Sequence, residues 1–442
     1  MKTINTAFWS TLLLLTGLWW LSDPPRLAQL AGFFDWRNVL IQYTGILGIG
    51  VMSLAVILAV RPALLERACG LDKMYRLHKW LGIAGLVVSL THWLIAQGPK
   101  WAVALGWLER RGRKPRPILP EGSLQQLFAE QRGLAEGVGE WAFYGALLLM
   151  VLALIRTFPY HRFFQTHRLL AVAYLALVFH AVILVKFSDW QGPIGVTLVP
   201  LLILGSGAAV MALFRKRAGG TVATGRVVAL ERFPDLEVLA VDIRMAPNWP
   251  GHKPGQFAFV TFHADEGPHP FTIASTGDDG TLRFLVKALG DYTGSLPGRL
   301  KIGDPVTLEG PYGCFDFEGP TRRQIWIGGG IGITPFIARL QALAGHPDGR
   351  TIDLFHTTAV YDPRAIDRLT AAAEAATVRL HVLWDARDGH LDADRLTAAV
   401  PDWRNADVWF CGPVRFGTAL RQALTALGLA PGRFHQELFT LR

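Results

Sequence analysis

RLHKWLGIAGLVVSLTHW, residues 76–93, is an apolar stretch with a histidine near each end, His78 and His92. It has the length and composition of a bilayer span, where about 20 apolar residues suffice. An ionisable ring is costly in that setting, and such residues inside membranes are usually functional. The two histidines are fourteen residues apart. That separation is close to four helical turns, so both rings project from nearly one face, ~21 Å apart along the axis.

A second pair, His167 and His180, lies thirteen residues apart in another apolar segment. If the two segments are the third and fifth spans, they run in the same direction. His78 then lies level with His167, and His92 level with His180. Two histidine pairs, one near each membrane face, are what two stacked haems with two axial imidazoles each require. Compact metal clusters need further carboxylates or cysteines at these depths, and none is available. On an ideal helix, thirteen residues leave His180 well off the face of His167. A bulge or kink in the fifth span, or a different tilt of its haems, is expected. Arg76, Lys79 and Arg168 stand where they could meet haem propionates, or serve simply as positive flanks of the spans.

The composition agrees with a membrane half. The chain is 51% hydrophobic and only 18% charged, too apolar for an ordinary soluble enzyme. Nearly all the long apolar runs precede residue 215. Six spans are expected, at roughly 5–22, 39–60, 77–97, 139–157, 168–187 and 193–214, the first retained because no small-residue cleavage site follows it. Positive charges in 61–76, 158–167 and after 214 place both termini in the cytoplasm. The basic run ERRGRKPR, 109–116, falls on the opposite side and conflicts with that rule. The net charge of +9 is explained by span flanks and anionic lipid, so nucleic acid is not an expected partner. Cys69, Cys314 and Cys411 form no paired or zinc-type spacing.

After residue 217 the sequence changes character. Residues 218–319 show short alternating runs between Gly/Pro turns, which read as a small antiparallel β-barrel. Residues 320–442 alternate strand-like and helix-like segments, the pattern of a parallel doubly wound sheet. Three stretches carry candidate chemistry. In HPFTIAS, 269–275, extended backbone and hydroxyls can bind a flavin edge, and Phe271 offers a stacking face. In VKALGDYTGSL, 286–296, a strand gives way to a helix start near Thr293, where backbone amides and Lys287 favour a pyrophosphate. In IGGGIGITPF, 327–336, glycines join a first parallel strand to a helix, the position at which a dinucleotide binds. Cys411, in FCGP, ends a later strand at the same edge of the sheet. No catalytic triad is apparent.

Together these elements resemble the NADPH oxidase and ferric reductase superfamily, most nearly its bacterial NADPH oxidase-like members without regulatory domains. The resemblance implies a six-helix transmembrane haem bundle followed by a ferredoxin-reductase-like module, an FAD barrel and a nicotinamide domain. It implies that His78, His92, His167 and His180 ligate two b-type haems. It implies that His269, Pro270, Phe271 and Thr272 contact FAD, with Ser275 near the isoalloxazine, and that Lys287, Gly290, Tyr292 and Thr293 serve its pyrophosphate. Gly328, Gly329, Gly330, Gly332, Thr334 and Pro335 would form the nicotinamide nucleotide loop, with Cys411, Gly412 and Pro413 beside the nicotinamide. Phe439 resembles the aromatic that covers the flavin until nicotinamide displaces it. Cys411 and Phe439 would thus flank the hydride transfer.

The implied activity is electron transfer from cytoplasmic NADPH or NADH through FAD and two haems to an acceptor outside the cell membrane. Oxygen giving superoxide is the first expectation. A ferric or cupric chelate, or a periplasmic redox partner, is the alternative. Two departures bear on this. Eukaryotic oxidases of the family carry a further histidine four residues after the outer ligand of span three, where this chain has Ala96. HTTAVYDPR, 356–364, lacks a basic residue just after the second parallel strand for a 2′-phosphate, Arg364 being displaced from that position.

Overall fold

In the computed structural model the described residues are 2–22, 32–109, 119–155, 160–214 and 221–437. The chain divides into two compact units, Met1–Leu65 with Lys73–Gly219, and Glu66–Asp72 with Gly220–Arg442.

The first unit is helical: α1 (Lys2–Ser22), α2 (Phe33–Ala59), α3 (Ala63–Cys69), α4 (Leu71–Ala104), α5 (Leu124–Leu154), α6 (Tyr160–Arg168), α7 (Leu170–Leu184), α8 (Phe187–Gln191) and α9 (Pro193–Leu213). Among the described residues, six helices are long and apolar enough to cross a membrane. They are the six spans expected, and this is a multi-pass membrane protein. Their outer faces carry exposed Trp, Leu and Val, while a core of Ile46, Val51, Leu81, Tyr174 and Leu198 joins them inside.

One feature differs from the sequence expectation and another meets it. The fourth span begins at Leu124 rather than near 139. Ser123 accepts a hydrogen bond from the Gln126 amide and caps the helix, and the Arg132–Glu136 pair supports the next turns at i,i+4 spacing. That amphipathic extension is too polar for a hydropathy window, so much of the supposed loop 98–138 is helix. The fifth span is broken: α6 ends at Arg168, and α7 starts from an Leu169 cap with φ −65° and ψ −17°. The break lies between His167 and His180, where a bulge or kink is expected.

α4 runs unbroken through His78 and His92 but contains Pro99, which has no N–H for the Ile95 carbonyl. Arg37 on α2 makes good the loss, its guanidinium donating to the Ile95 and Ala96 oxygens at 3.2 and 3.0 Å.

The second unit holds two sheets. Strands β1 (Thr221–Phe233), β2 (Val238–Met245), β3 (Phe257–Thr261), β4 (His269–Thr272), β5 (Thr281–Lys287) and β6 (Pro305–Tyr312) form an antiparallel sheet in the order β4-β3-β6-β1-β2-β5. A bridge between Ile273 and Phe284 nearly closes it into a barrel. β5 alternates buried and half-buried residues, as a one-faced strand should. Helix α10 (Asp291–Arg299) follows β5.

The second sheet is parallel. It comprises β7 (Arg323–Gly329), β8 (Thr351–Thr358), β9 (Arg379–Trp384), β10 (Asp407–Cys411) and β11 (Phe434–Gln436), in the order β11-β10-β7-β8-β9. Its helices are α11 (Thr334–Gly345), α12 (Pro363–Ala375), α13 (Asp385–Asp388), α14 (Ala393–Ala399) and α15 (Val414–Ala426). Central strands β7 and β10 are buried almost throughout, as strands covered on both faces must be. The strand order reverses between β7 and β10, which makes the carboxyl ends of those two strands the switch point where ligands bind.

Candidate functional site

Both histidine pairs form. The ring centres of His78 and His167 are 5.9 Å apart, and those of His92 and His180 are 6.3 Å apart. A metal–imidazole bond of about 2 Å on each side, plus the ~1 Å from nitrogen to ring centre, puts two axial imidazoles about 6 Å apart. Each gap therefore fits a single metal ion between two rings.

The tautomers agree with that fit. His78 Nδ1 lies 2.8 Å from the Ala55 carbonyl on α2, and His180 Nδ1 lies 2.8 Å from the Ala135 carbonyl on α5. A carbonyl only accepts, so both Nδ1 atoms carry the proton and both Nε2 atoms keep a lone pair. His92 reaches the same state by another route. The Thr44 hydroxyl donates to the Leu40 carbonyl at 2.7 Å and so accepts from His92 Nδ1 at 3.0 Å. Hydrogen bonds of this kind orient metal-ligating histidines. His167 is the exception: its Nδ1 is buried without a hydrogen-bond partner, and its ring stacks on Phe163 at 5.0 Å. Glycines make room for the outer pair. A side chain at Gly139 would overlap the His180 ring, and one at Gly45 would come within 3.3 Å of His92. Among the described residues, no group of three or more His, Cys, Asp and Glu side chains is placed to hold a metal ion.

In the second unit, a cleft of about 1540 Å³ runs between the barrel and the carboxyl edge of the parallel sheet. Small-molecule pockets are typically about 300–1,000 Å³, so this one has room for more than one nucleotide. Pro270, Phe271, Thr272, Lys287 and Thr293 line its barrel side. Gly329, Gly330, Gly332, Thr334, Cys411, Gly412 and Pro413 line its sheet side.

The remaining candidates stand behind these walls. The His269 ring packs on Tyr292 at 4.6 Å, and the Tyr292 hydroxyl is 3.0 Å from His263 Nδ1. Burial, helped by Glu266, pushes the Tyr292 phenol up to about 12, so it stays protonated. The Ser275 hydroxyl accepts from the Arg283 amide at 3.0 Å. Gly290 caps α10 in extended conformation, and the Thr293 hydroxyl accepts from the amides of Leu289 and Gly290. Those two amides are therefore spent internally, and an anion at this end would meet the first-turn amides of α10. Gly328, in β7, and Pro335, in the first turn of α11, are buried on either side of the glycine turn. Phe439 lies outside the described residues.

The glycine turn and the Cys411 loop touch. A Cβ at Gly332 would stand 2.6 Å from the Cys411 carbonyl carbon, and a Cβ at Gly329 would stand 2.9 Å from Pro413. Gly330 takes φ +54°, a left-handed conformation suited to glycine. His356, missed by the sequence reading, backs the turn from β8 with its Nδ1 3.1 Å from the Gly328 carbonyl, and burial keeps it neutral.

Burial, with Glu437 adding to it, pushes the Cys411 thiol well above the usual range. It is a neutral wall of the cleft and not a nucleophile. At pH 8, iodoacetamide is expected to label wild-type protein and Cys411→Ser to the same extent. An extra labelled equivalent in the wild type would contradict this. Glu437 is a second residue the sequence did not signal. It lies next to Leu438 in an undistinguished terminal stretch, and only the pairing of β11 with β10 brings it to the cysteine. A third is Arg283, which lines the cleft while held bidentately by Asp242 at 2.7 Å.

Comparison with known proteins agrees with both halves. Residues 44–178 match the family described as ferric reductase like transmembrane component. Residues 224–315 match an FAD-binding domain family. The chain is 29% identical over 268 residues to a flavohemoprotein of Bordetella pertussis, a match covering 54% of this chain and 66% of the relative. It is 28% identical over 221 residues to the reductase component of propane 2-monooxygenase from Rhodococcus jostii, covering 45% and 60%. The chain thus spans less than two thirds of the length of these relatives. Among solved structures, Amycolatopsis cytochrome P450 reductase GcoB aligns with TM-score 0.43 and 25% identity, over 50% of this chain and 70% of that one.

Proposed function

The chain has the architecture of the NADPH oxidase and ferric reductase superfamily, a flavin-dependent oxidoreductase with a membrane half, and on that premise we propose that it carries electrons from NADH or NADPH across the cell membrane to oxygen. The observation that supports this most directly is the pair of histidine couples at two depths, each spaced for one iron.

Bound FAD would supply hydride acceptance and bound haems single-electron transport; all other work falls to the chain. His78 and His167 would hold the inner iron, His92 and His180 the outer one. Ala55, Thr44 and Ala135 fix three of those rings in the tautomer that ligates. Phe271, Thr272 and Lys287 line the cleft; the first two would face the flavin ring and Lys287 would offset phosphate charge. The Gly329–Thr334 turn would admit the dinucleotide phosphates to the switch point between β7 and β10. Neutral Cys411 lines the nicotinamide end without competing for hydride. The overall reaction consumes one NAD(P)H and two oxygen molecules, and yields NAD(P)+, one proton and two superoxide ions. The reductase half and both termini would face the cytoplasm, a reading supported by the positive charges in 61–76, 158–167 and after 214 and opposed by the basic run 109–116. A ferric or cupric chelate is the second reading, favoured by Ala96, whose carbonyl is bound by Arg37 and whose side chain offers no polar group to oxygen.

Stopped-flow oxidation of the fully reduced protein separates the two. Oxygen is expected to reoxidise it within a catalytic turnover time. Slow oxidation by oxygen beside fast oxidation by ferric chelate would sink the oxidase reading.

A further inference from the structure

The cleft in the second unit carries an acid where a dinucleotide's adenosine end must lie. The glycine turn closes β7, and the sheet continues outward from it as β7-β8-β9. At the carboxyl edge Gly329 pairs beside Thr357, and Thr358 beside Trp384. Adjacent strands lie about 4.8 Å apart, so the end of β9 is ~10 Å from the phosphate turn. That is the reach from a pyrophosphate to the ribose of its adenosine. Asp385 is the first residue beyond β9, and it lines the cleft. His390, which also lines the cleft, places Nδ1 3.4 Å from its Oδ1.

The cations of the cleft are elsewhere. Among the described residues, Arg283, Lys287 and Arg368 are the only Lys or Arg side chains lining it. Arg283 is committed to Asp242, and Lys287 belongs to β5 on the barrel side. Arg368 is bound to Glu231 at 2.7 Å and rests over the Phe233 ring. Arg364 does not line the cleft; it too lies over Phe233, 3.8 Å from Asp362. Arg387 is held by Asp388. A 2′-phosphate at the β8–β9 edge would therefore meet a carboxylate and, among the described residues, no uncommitted Lys or Arg side chain, whereas a ribose 2′-hydroxyl would find an acceptor.

We propose that Asp385 selects NADH over NADPH by accepting the adenosine ribose hydroxyls and repelling a 2′-phosphate. The proposal rests on the dinucleotide-driven function above and narrows its electron donor.

The test measures binding and reduction separately. Calorimetric titration of the flavin-loaded protein with 5′-AMP and 2′,5′-ADP should show AMP binding at least about tenfold more tightly, and stopped-flow flavin reduction should favour NADH in the same sense. Asp385→Asn should narrow both ratios by about tenfold. Asp394→Asn removes an exposed carboxylate on α14 that does not line the cleft, and should leave them unchanged. A wild type that prefers 2′,5′-ADP, or an Asp385→Asn variant with unaltered ratios and intact flavin absorbance, overturns the proposal. Failure of both dinucleotides to reduce the flavin would instead overturn the function on which it rests.

Discussion

His92→Ala and His180→Ala are each expected to lower haem content from two per chain to one, with FAD content and dinucleotide-driven flavin reduction unchanged. The two rings form one site, 6.3 Å apart, and each is steered by its own hydrogen bond on a different helix. Losing an outer-shell partner of a metal ligand already costs about 10- to 100-fold in affinity, so losing a ligand outright costs more. An alanine on α4 or α7 leaves an apolar gap with one unpaired imidazole. The inner pair does not share those contacts: His78 is held through Ala55, and His167 stacks on Phe163. The reduced b-type absorption should therefore halve rather than vanish, and delivery of electrons to an external acceptor should fall below detection. Haem and FAD quantified on purified protein check this. Two haems per chain in either variant would refute the ligand assignment.

The histidine ladder shows how far the chain can be read without coordinates. The fourteen-residue interval of His78 and His92 maps onto four turns because α4 is unbroken between them. The thirteen-residue interval of His167 and His180 does not map onto one face of an ideal helix, and between the two the helix is interrupted at Leu169, in a segment that has neither proline nor glycine there. The spacing of the two rings calls for an irregularity in this span, but local propensity does not place it at Leu169. The switch point was legible because glycines and buried strands are local signals. Glu437 and His356 were not, because their roles depend on strand pairings between residues far apart in sequence. The helical extension of α5 escaped for a third reason, since its turns are stabilised by a cap and charge pairs that hydropathy counts as loop.

Gly332→Ala should weaken dinucleotide binding by about 10- to 100-fold while leaving both haems in place. The added Cβ would meet the Cys411 carbonyl and stand 2.9 Å from the Gly412 amide nitrogen. Both are main-chain atoms at the end of a buried strand, so neither can rotate aside as a side-chain tip could. Overpacking of this kind costs about 1–3 kcal/mol. At about 1.4 kcal/mol per tenfold, the same strain translated into a displaced phosphate turn gives the predicted loss in affinity. In a domain of this size about 1 kcal/mol lowers Tm by roughly 2–4 °C, so a fall of several degrees should accompany it. Gly345→Ala, at the far end of the same helix and with nothing within 4 Å of its Cβ, is the control and should match wild type in both measurements. Dinucleotide affinity within twofold of wild type in Gly332→Ala would mean that the turn yields, and that contact between the glycine and cysteine loops does not shape the nucleotide site.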